Sequence, residues 1–93
     1  MDVVAQDRDL SRIFEALSNE TRLQVLRLVA EAGTLYCREL LNRFSLTQPT
    51  MSHHVNLLIA SGVLHEHRDG LRRFYTVDRD LLKRFGLNFL EQN

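Results

Sequence analysis

The apolar pattern of this chain changes its period after Gly62. Before it, apolar residues recur at the three- and four-residue spacing of helices. After it, residues 63–68 and 71–77 follow the two-residue spacing of strands. Asp69-Gly70 separates these two runs, and Asp-Gly in that setting predicts a hairpin with a type I′ turn. A chain that buries helical stripes first and closes on one hairpin has few ways to fold.

The helical part divides at its own chemical signals. Leu10, Ile13, Phe14 and Leu17 fall at i, i+3, i+4 and i+7, which predicts an amphipathic first helix. In "SNETR", Ser18 or Asn19 can cap the next helix, with Glu20 favourable in its first turn. That second helix carries Leu23, Leu26, Val29 and Ala30, with Val25, Leu28 and Ala32 widening its apolar face. It reads as the buried central helix, stopped at Gly33. A short third helix is predicted over residues 36–44, with Leu40, Leu41 and Phe44 inward. Thr47 can cap a fourth helix, in whose first turn Pro49 costs no hydrogen bond. It runs to about Ser61, stops at Gly62, and buries Met51, Val55 and Leu58.

After the hairpin, Asp78 or Asp80 can cap a last helix with a broad apolar face of Leu81, Leu82, Phe85, Phe89 and Leu90. The order is helix, helix, helix, turn, helix, hairpin, helix. This is a mainly α fold with a small β-hairpin, the winged helix-turn-helix.

Length and charge limit what such a fold can do. Ninety-three residues predict one small domain, residues 1–93, and a core of that size favours oligomerisation. Twelve Lys and Arg balance twelve Asp and Glu, so any nucleic-acid footprint must come from local clustering. A single cysteine excludes an intramolecular disulfide and a structural zinc site of several thiolates, and points to a reducing cytoplasm. "MDVVAQDRDL" starts acidic without an apolar core and does not read as a signal peptide. No apolar run approaches the ~20 residues that span a bilayer.

The fourth helix carries the candidate binding chemistry. Thr47, Gln48, Thr50, Ser52, His53 and Asn56 lie off its apolar seam, and this face is polar but nearly uncharged. Such side chains hydrogen-bond base edges and phosphates, and the N-terminal part of this helix enters the major groove in helix-turn-helix proteins. The competing reading is a solvated helix face without a partner. Arg68, Arg72 and Arg73 cluster at the hairpin tip, where arginines suit phosphate or minor-groove contact, or simply discourage strand-to-strand aggregation.

His53 and His54 are adjacent on a helix, point about 100° apart and do not chelate one ion together. His65 and His67 share a strand face, where two imidazoles lack a third ligand, so wing packing or phosphate contact is the expected role. No Ser/Cys-His-acid set lies on one plausible face and no Gly-rich phosphate loop is present, so neither enzymatic activity nor a cofactor is expected.

The segments "LSNETRLQVLRLV", "LTQPTMSHHVNLL", "ASGVL" and "DGLRRFY" resemble the ArsR/SmtB family of small transcriptional repressors, over residues 10–78 without a gap. The resemblance implies a homodimer on a palindromic double-stranded DNA operator, dimerised through the first and last helices. Leu10, Ile13, Leu82, Phe85 and Phe89 are the expected interface.

Many members respond to metals or arsenite through an E-L-C-V-C-D-L motif at the start of the third helix. Here "TLYCREL" stands in its place: Tyr36 and Arg38 fall on the ligand positions and Cys37 on the intervening valine. A second family site uses Asp and His on the last helix, and "DRDLLKRFGLNFLEQN" contains no His. The arm before the first helix offers Asp2, Asp7 and Asp9 but no Cys or His. The expectation is a repressor without the usual metal ligands and with an unknown inducer. A redox-responsive repressor acting through Cys37, and a winged-helix protein-interaction module that does not bind DNA, are the alternatives. For Cys37 itself the plainer reading is a small thiol packed at a helix start.

Overall fold

The computed structural model describes residues 2–91. Helices α1 (Val3–Leu17) and α2 (Glu20–Ala32) are followed by a short strand β1 (Leu35–Tyr36), then α3 (Cys37–Asn42) and α4 (Gln48–Ser61). The wing is β2 (Leu64–Asp69) and β3 (Arg72–Val77). Helix α5 (Arg79–Arg84) and a 3-10 turn (Phe89–Glu91) complete the described residues.

Local chemistry sets most of these limits. Asn19 accepts from the Arg22 N–H and opens α2, and Gly33, at φ +80°, closes it. The Thr47 hydroxyl accepts from the Thr50 N–H at the start of α4, and Gly62, at φ +88°, ends it. Met51, Val55 and Leu58 are the buried residues of α4, as the spacing predicts. They join Val25, Leu26 and Val29 of α2 and Leu40 of α3 in one apolar cluster, closed on the sheet side by Leu64 and Tyr75.

Four expectations need correction. First, the described residues of the expected arm belong to α1 and its cap. Asp2 accepts from the Val4 and Ala5 N–H groups and starts the helix at Val3, so Asp7 and Asp9 are helical. Its buried residues are Ile13 and Ala16, and Phe14 is 53% exposed, because α1 lies mainly on α4 and presents that side inward.

Second, the sheet has three antiparallel strands in the order β1-β3-β2, since Leu35 and Tyr36 pair with Tyr75 and Phe74. Tyr36 therefore precedes α3 as its N-cap, and α3 ends at Asn42, short of Phe44.

Third, Asp69 pairs with Arg72, which leaves Gly70-Leu71 as the two-residue loop. Only Gly70 has positive φ, at +63°, which is the type II′ requirement and not the type I′ one.

Fourth, the last helix is short. The Gly86 N–H donates to the Lys83 carbonyl and the Leu87 N–H to that of Leu82, with Gly86 at φ +74°. This Schellman closure ends α5 before Phe89 can extend it.

The expected dimer contacts divide accordingly. Ile13 and Leu82 are 0% and 1% exposed and belong to the protomer's own core, out of reach of a second copy. Leu10, Phe85 and Phe89 are half-buried. Among the described residues no helix is long and apolar enough to cross a membrane.

Candidate nucleic-acid interface

Helix α4 is held by a buried polar clamp as well as by its apolar seam. Arg22, 8% exposed, donates from Nε to the Ala16 carbonyl at 2.7 Å and from Nη2 to the Glu15 carbonyl at 3.2 Å. These carbonyls belong to the C-terminal end of α1, where a guanidinium satisfies acceptors that the helix leaves open. Nη1 lies 3.1 Å from His54 Nδ1 on α4. Arginine only donates, so Nδ1 is the acceptor and the imidazole is neutral. Burial, then the charge of Arg22, then that of His53 hold the His54 pKa below its ordinary value, in agreement. His54 is thus a structural residue, and its neighbour His53 is left exposed.

The polar face of α4 has two sides. Gln48, Ser52 and Asn56 border a depression between α4 and the wing, shared with Glu66 and Arg73. Thr50 and His53 are exposed residues outside that border. The Thr47 hydroxyl donates to Thr50 Oγ1 at 2.9 Å and joins the cap to this face. No acidic residue lies in the first turn of α4.

The hairpin arginines do not all share one sheet face. Arg68 pairs across the strands with Arg73, so the two share one sheet face, and Arg72 lies on the other. Arg68 is exposed. Arg73 is half-buried, 3.5 Å from a Glu66 carboxylate oxygen, and donates to Cys37 Sγ at 3.5 Å. The Arg72 guanidinium lies 3.7 Å from the ring centroid of Tyr36. The Tyr36 hydroxyl donates to Asp69 Oδ2 at 2.9 Å, and its ring meets Phe74 at 5.4 Å. The hydrogen bond to Asp69, with the carboxylate's charge, raises the Tyr36 pKa. Tyr36 thus ties the wing tip to the start of α3. Burial, followed by the hydrogen bond with Cys37, pushes the Tyr75 phenol up.

The remaining histidines pack the wing. His65 Nε2 lies 2.9 Å from Asp78 Oδ2, and the other carboxylate oxygen caps α5 through the Leu81 N–H. The His65 bond, then the Leu81 N–H, hold the Asp78 carboxyl below its ordinary pKa. His67 stacks on Phe74 at 4.8 Å and reaches Thr76 Oγ1 at 2.8 Å. Among the described residues no three His, Cys, Asp or Glu side chains converge on a possible metal position.

Sequence reasoning does not single out Arg22, and it places Tyr36 only on a vacated ligand position, without its wing partners. An arginine three residues after a cap is unremarkable in a helical pattern, and Tyr36 meets its wing partners only through tertiary pairing. The one available signal was Arg22 itself, a charge in an otherwise apolar helix face.

The helix-turn-helix domain family matches residues 17–67. The chain is 34% identical over 73 residues to an HTH-type transcriptional regulator of Methanocaldococcus jannaschii, covering 78% of this chain and 82% of that protein. It is 33% identical over 75 residues to the arsenical resistance operon repressor of Staphylococcus aureus, covering 81% of this chain and 71% of that one. Among solved structures it resembles the homodimeric winged helix-turn-helix DNA-binding domain of a possible ArsR-family transcriptional regulator from Mycobacterium bovis. There the TM-score is 0.78 at 27% identity, over 90% of this chain and 78% of the other. With the three-helix core, the α3–turn–α4 unit and the wing in place, the chain belongs to the ArsR/SmtB family of winged helix-turn-helix transcriptional regulators.

Proposed function

We propose that this chain is a cytoplasmic, homodimeric repressor that binds double-stranded DNA at a palindromic operator. The observation that carries the reading is the face of α4. Gln48, Thr50, Ser52, His53 and Asn56 stand on a helix anchored by Met51, Val55 and Leu58, beside an arginine-bearing wing. Gln48 and Asn56 suit adenine, Ser52 and the Thr50 hydroxyl suit several base edges, and a threonine methyl suits thymine. Thr47 caps the helix and presents its hydroxyl beside that of Thr50. Arg68, Arg72 and Arg73 supply phosphate contact from the wing, with Arg73 oriented by Glu66.

The unit is read as one domain whose second copy packs along α1 and the C-terminal segment. Val3, Leu10 and Phe14 fall at i, i+7 and i+11 on one stripe of α1, and Val3 and Phe14 are 65% and 53% exposed. Phe85 and Phe89 extend the apolar surface at the other end of the chain. Two-fold symmetry then spaces the two α4 helices about one turn of DNA apart. The repressor of Staphylococcus aureus and the homodimeric DNA-binding domain of Mycobacterium bovis support both parts of the reading.

Gel-shift with DNA from upstream of the gene tests it. A retarded band should survive excess nonspecific DNA, and the Gln48→Ala/His53→Ala double variant should lose it; unchanged binding by that variant would falsify the assignment of the reading face. Zinc, cadmium, nickel or arsenite should leave the affinity unchanged, because Tyr36 and Arg38 stand where the family's sensor cysteines fall. Release at low micromolar metal would show that another ligand set operates.

A further inference from the structure

A cleft of about 550 Å³ opens between α3, the first turn of α4 and the wing tip. Three arginines line it, Arg38 from α3 and Arg72 and Arg73 from β3, and no aspartate or glutamate does. Gln48, the first residue of α4, forms part of the same wall, and Leu71, fully exposed at the tip of the wing, forms its outer lip. The chain as a whole has no net charge, so this is a local concentration of cations.

We propose that this cleft seats a phosphate of the DNA backbone, and that Arg38 is a phosphate contact together with Arg72 and Arg73. The inference rests on the DNA-binding reading above. If α4 places its first turn in the major groove and the wing reaches toward the next groove, the strand between the two grooves passes over the gap separating them. That gap is the cleft.

The state of each arginine favours an anion there. Arg38 is exposed and has no ion-pair or hydrogen-bond partner among the described residues. The adjacent acid, Glu39, is turned away, accepting from the Tyr36 backbone N–H at 3.3 Å. Arg72 has no carboxylate within ion-pair distance among the described residues and lies over the Tyr36 ring, itself fixed through Asp69. Arg73 is held by Glu66 and Cys37. Two of the three guanidiniums are thus oriented in advance, which lowers the entropy lost on binding. Arg73 is paired with Glu66, but Arg38 and Arg72 leave two uncompensated like charges at one opening, and an entering phosphate offsets their repulsion.

Phosphate contacts carry no sequence information, and this property separates Arg38 from the reading face. The test is fluorescence anisotropy with two probes, a mixed-sequence duplex and a duplex from upstream of the gene, over a range of salt. Arg38→Ala should weaken both by the same factor, roughly fivefold at ~0.1 M salt, and lower the slope of log K against log salt by about one. Arg38→Lys should restore the slope. Thermal unfolding should not change, since Arg38 is exposed. An unchanged slope overturns the proposal. So does a loss confined to the upstream duplex, because Arg38 would then be reading bases. Saturable binding of inorganic phosphate, with duplex binding insensitive to Arg38→Ala, would overturn it in favour of a small-anion site. Failure of the wild-type protein to bind either duplex at low salt would instead defeat the DNA-binding reading itself.

Discussion

Arg22 on α2 donates to His54 on α4 across 3.1 Å while its other nitrogens cap the end of α1. One nearly buried side chain therefore joins the three helices that position the reading face. Replacing it leaves the Ala16 carbonyl and the His54 ring without this donor, while the Glu15 carbonyl keeps the Ser18 N–H and hydroxyl. Arg22→Ala should cost about 2–4 kcal/mol of stability, the range for losing several charge-assisted bonds at a buried site. Urea denaturation measures it, and a loss below ~1 kcal/mol would show that water replaces the guanidinium.

The same pair gives the protein an acid sensitivity. The His54 pKa lies below the ordinary 6.5 in the folded protein. As pH falls through 6.5, the unfolded chain takes up a proton first, so stability is complete above that value. It declines as pH drops from there toward the folded-state pKa. His54→Asn keeps an acceptor for Arg22 and removes the titration. Urea midpoints between pH 7 and pH 5 should fall more steeply for the wild type than for this variant. Parallel curves would assign the acid loss to other groups.

Gly62 and Gly86 both hold positive φ, but their surroundings differ. A Cβ at Gly62 would lie 3.1 Å from Leu81 Cδ2, whereas one at Gly86 would meet nothing within 4 Å. Gly86→Ala should therefore cost about 1 kcal/mol, the backbone penalty alone. Gly62→Ala should cost more, since Leu81 must also move. Thermal melts of the two variants would rank them, and the reverse order would contradict this packing.

Ile13 and Phe14 are neighbours with opposite expected phenotypes. Ile13→Ala removes a fully buried side chain and should cost about 2–5 kcal/mol of folding stability. Phe14→Asp should leave helicity intact and shift the protein from dimer to monomer in analytical ultracentrifugation. A Phe14→Asp variant that sediments as the wild-type dimer would move the interface elsewhere.

The features legible in the sequence are those whose cause is local. Asn19 and Gly33 bound α2, Thr47 and Gly62 bound α4, and the seam Met51, Val55 and Leu58 follows from helical spacing. The alternating wing and the polar face of α4 were legible for the same reason. The Asp-Gly pair located the hairpin but not its turn type, because that depends on which residues pair across the strands.

Contacts between distant residues decided the rest. A two-residue strand has no period, so β1 exists only because β3 lies beside Leu35 and Tyr36. The inward face of α1 follows from the positions of α4 and α2, which put Ile13 inside and Phe14 out. The last helix is short because Gly86 turns the chain and lets the Leu87 N–H close on Leu82. Arg22 meets His54 across 32 positions, and Tyr36 meets Asp69 across 33. The sequence by itself determined the kind of fold and the helix that faces outward, because caps, stops and periodicity act within a few residues. Only the tertiary structure decided how that helix is held and which arginines surround the cleft beside it, because those contacts exist only once distant segments pack together.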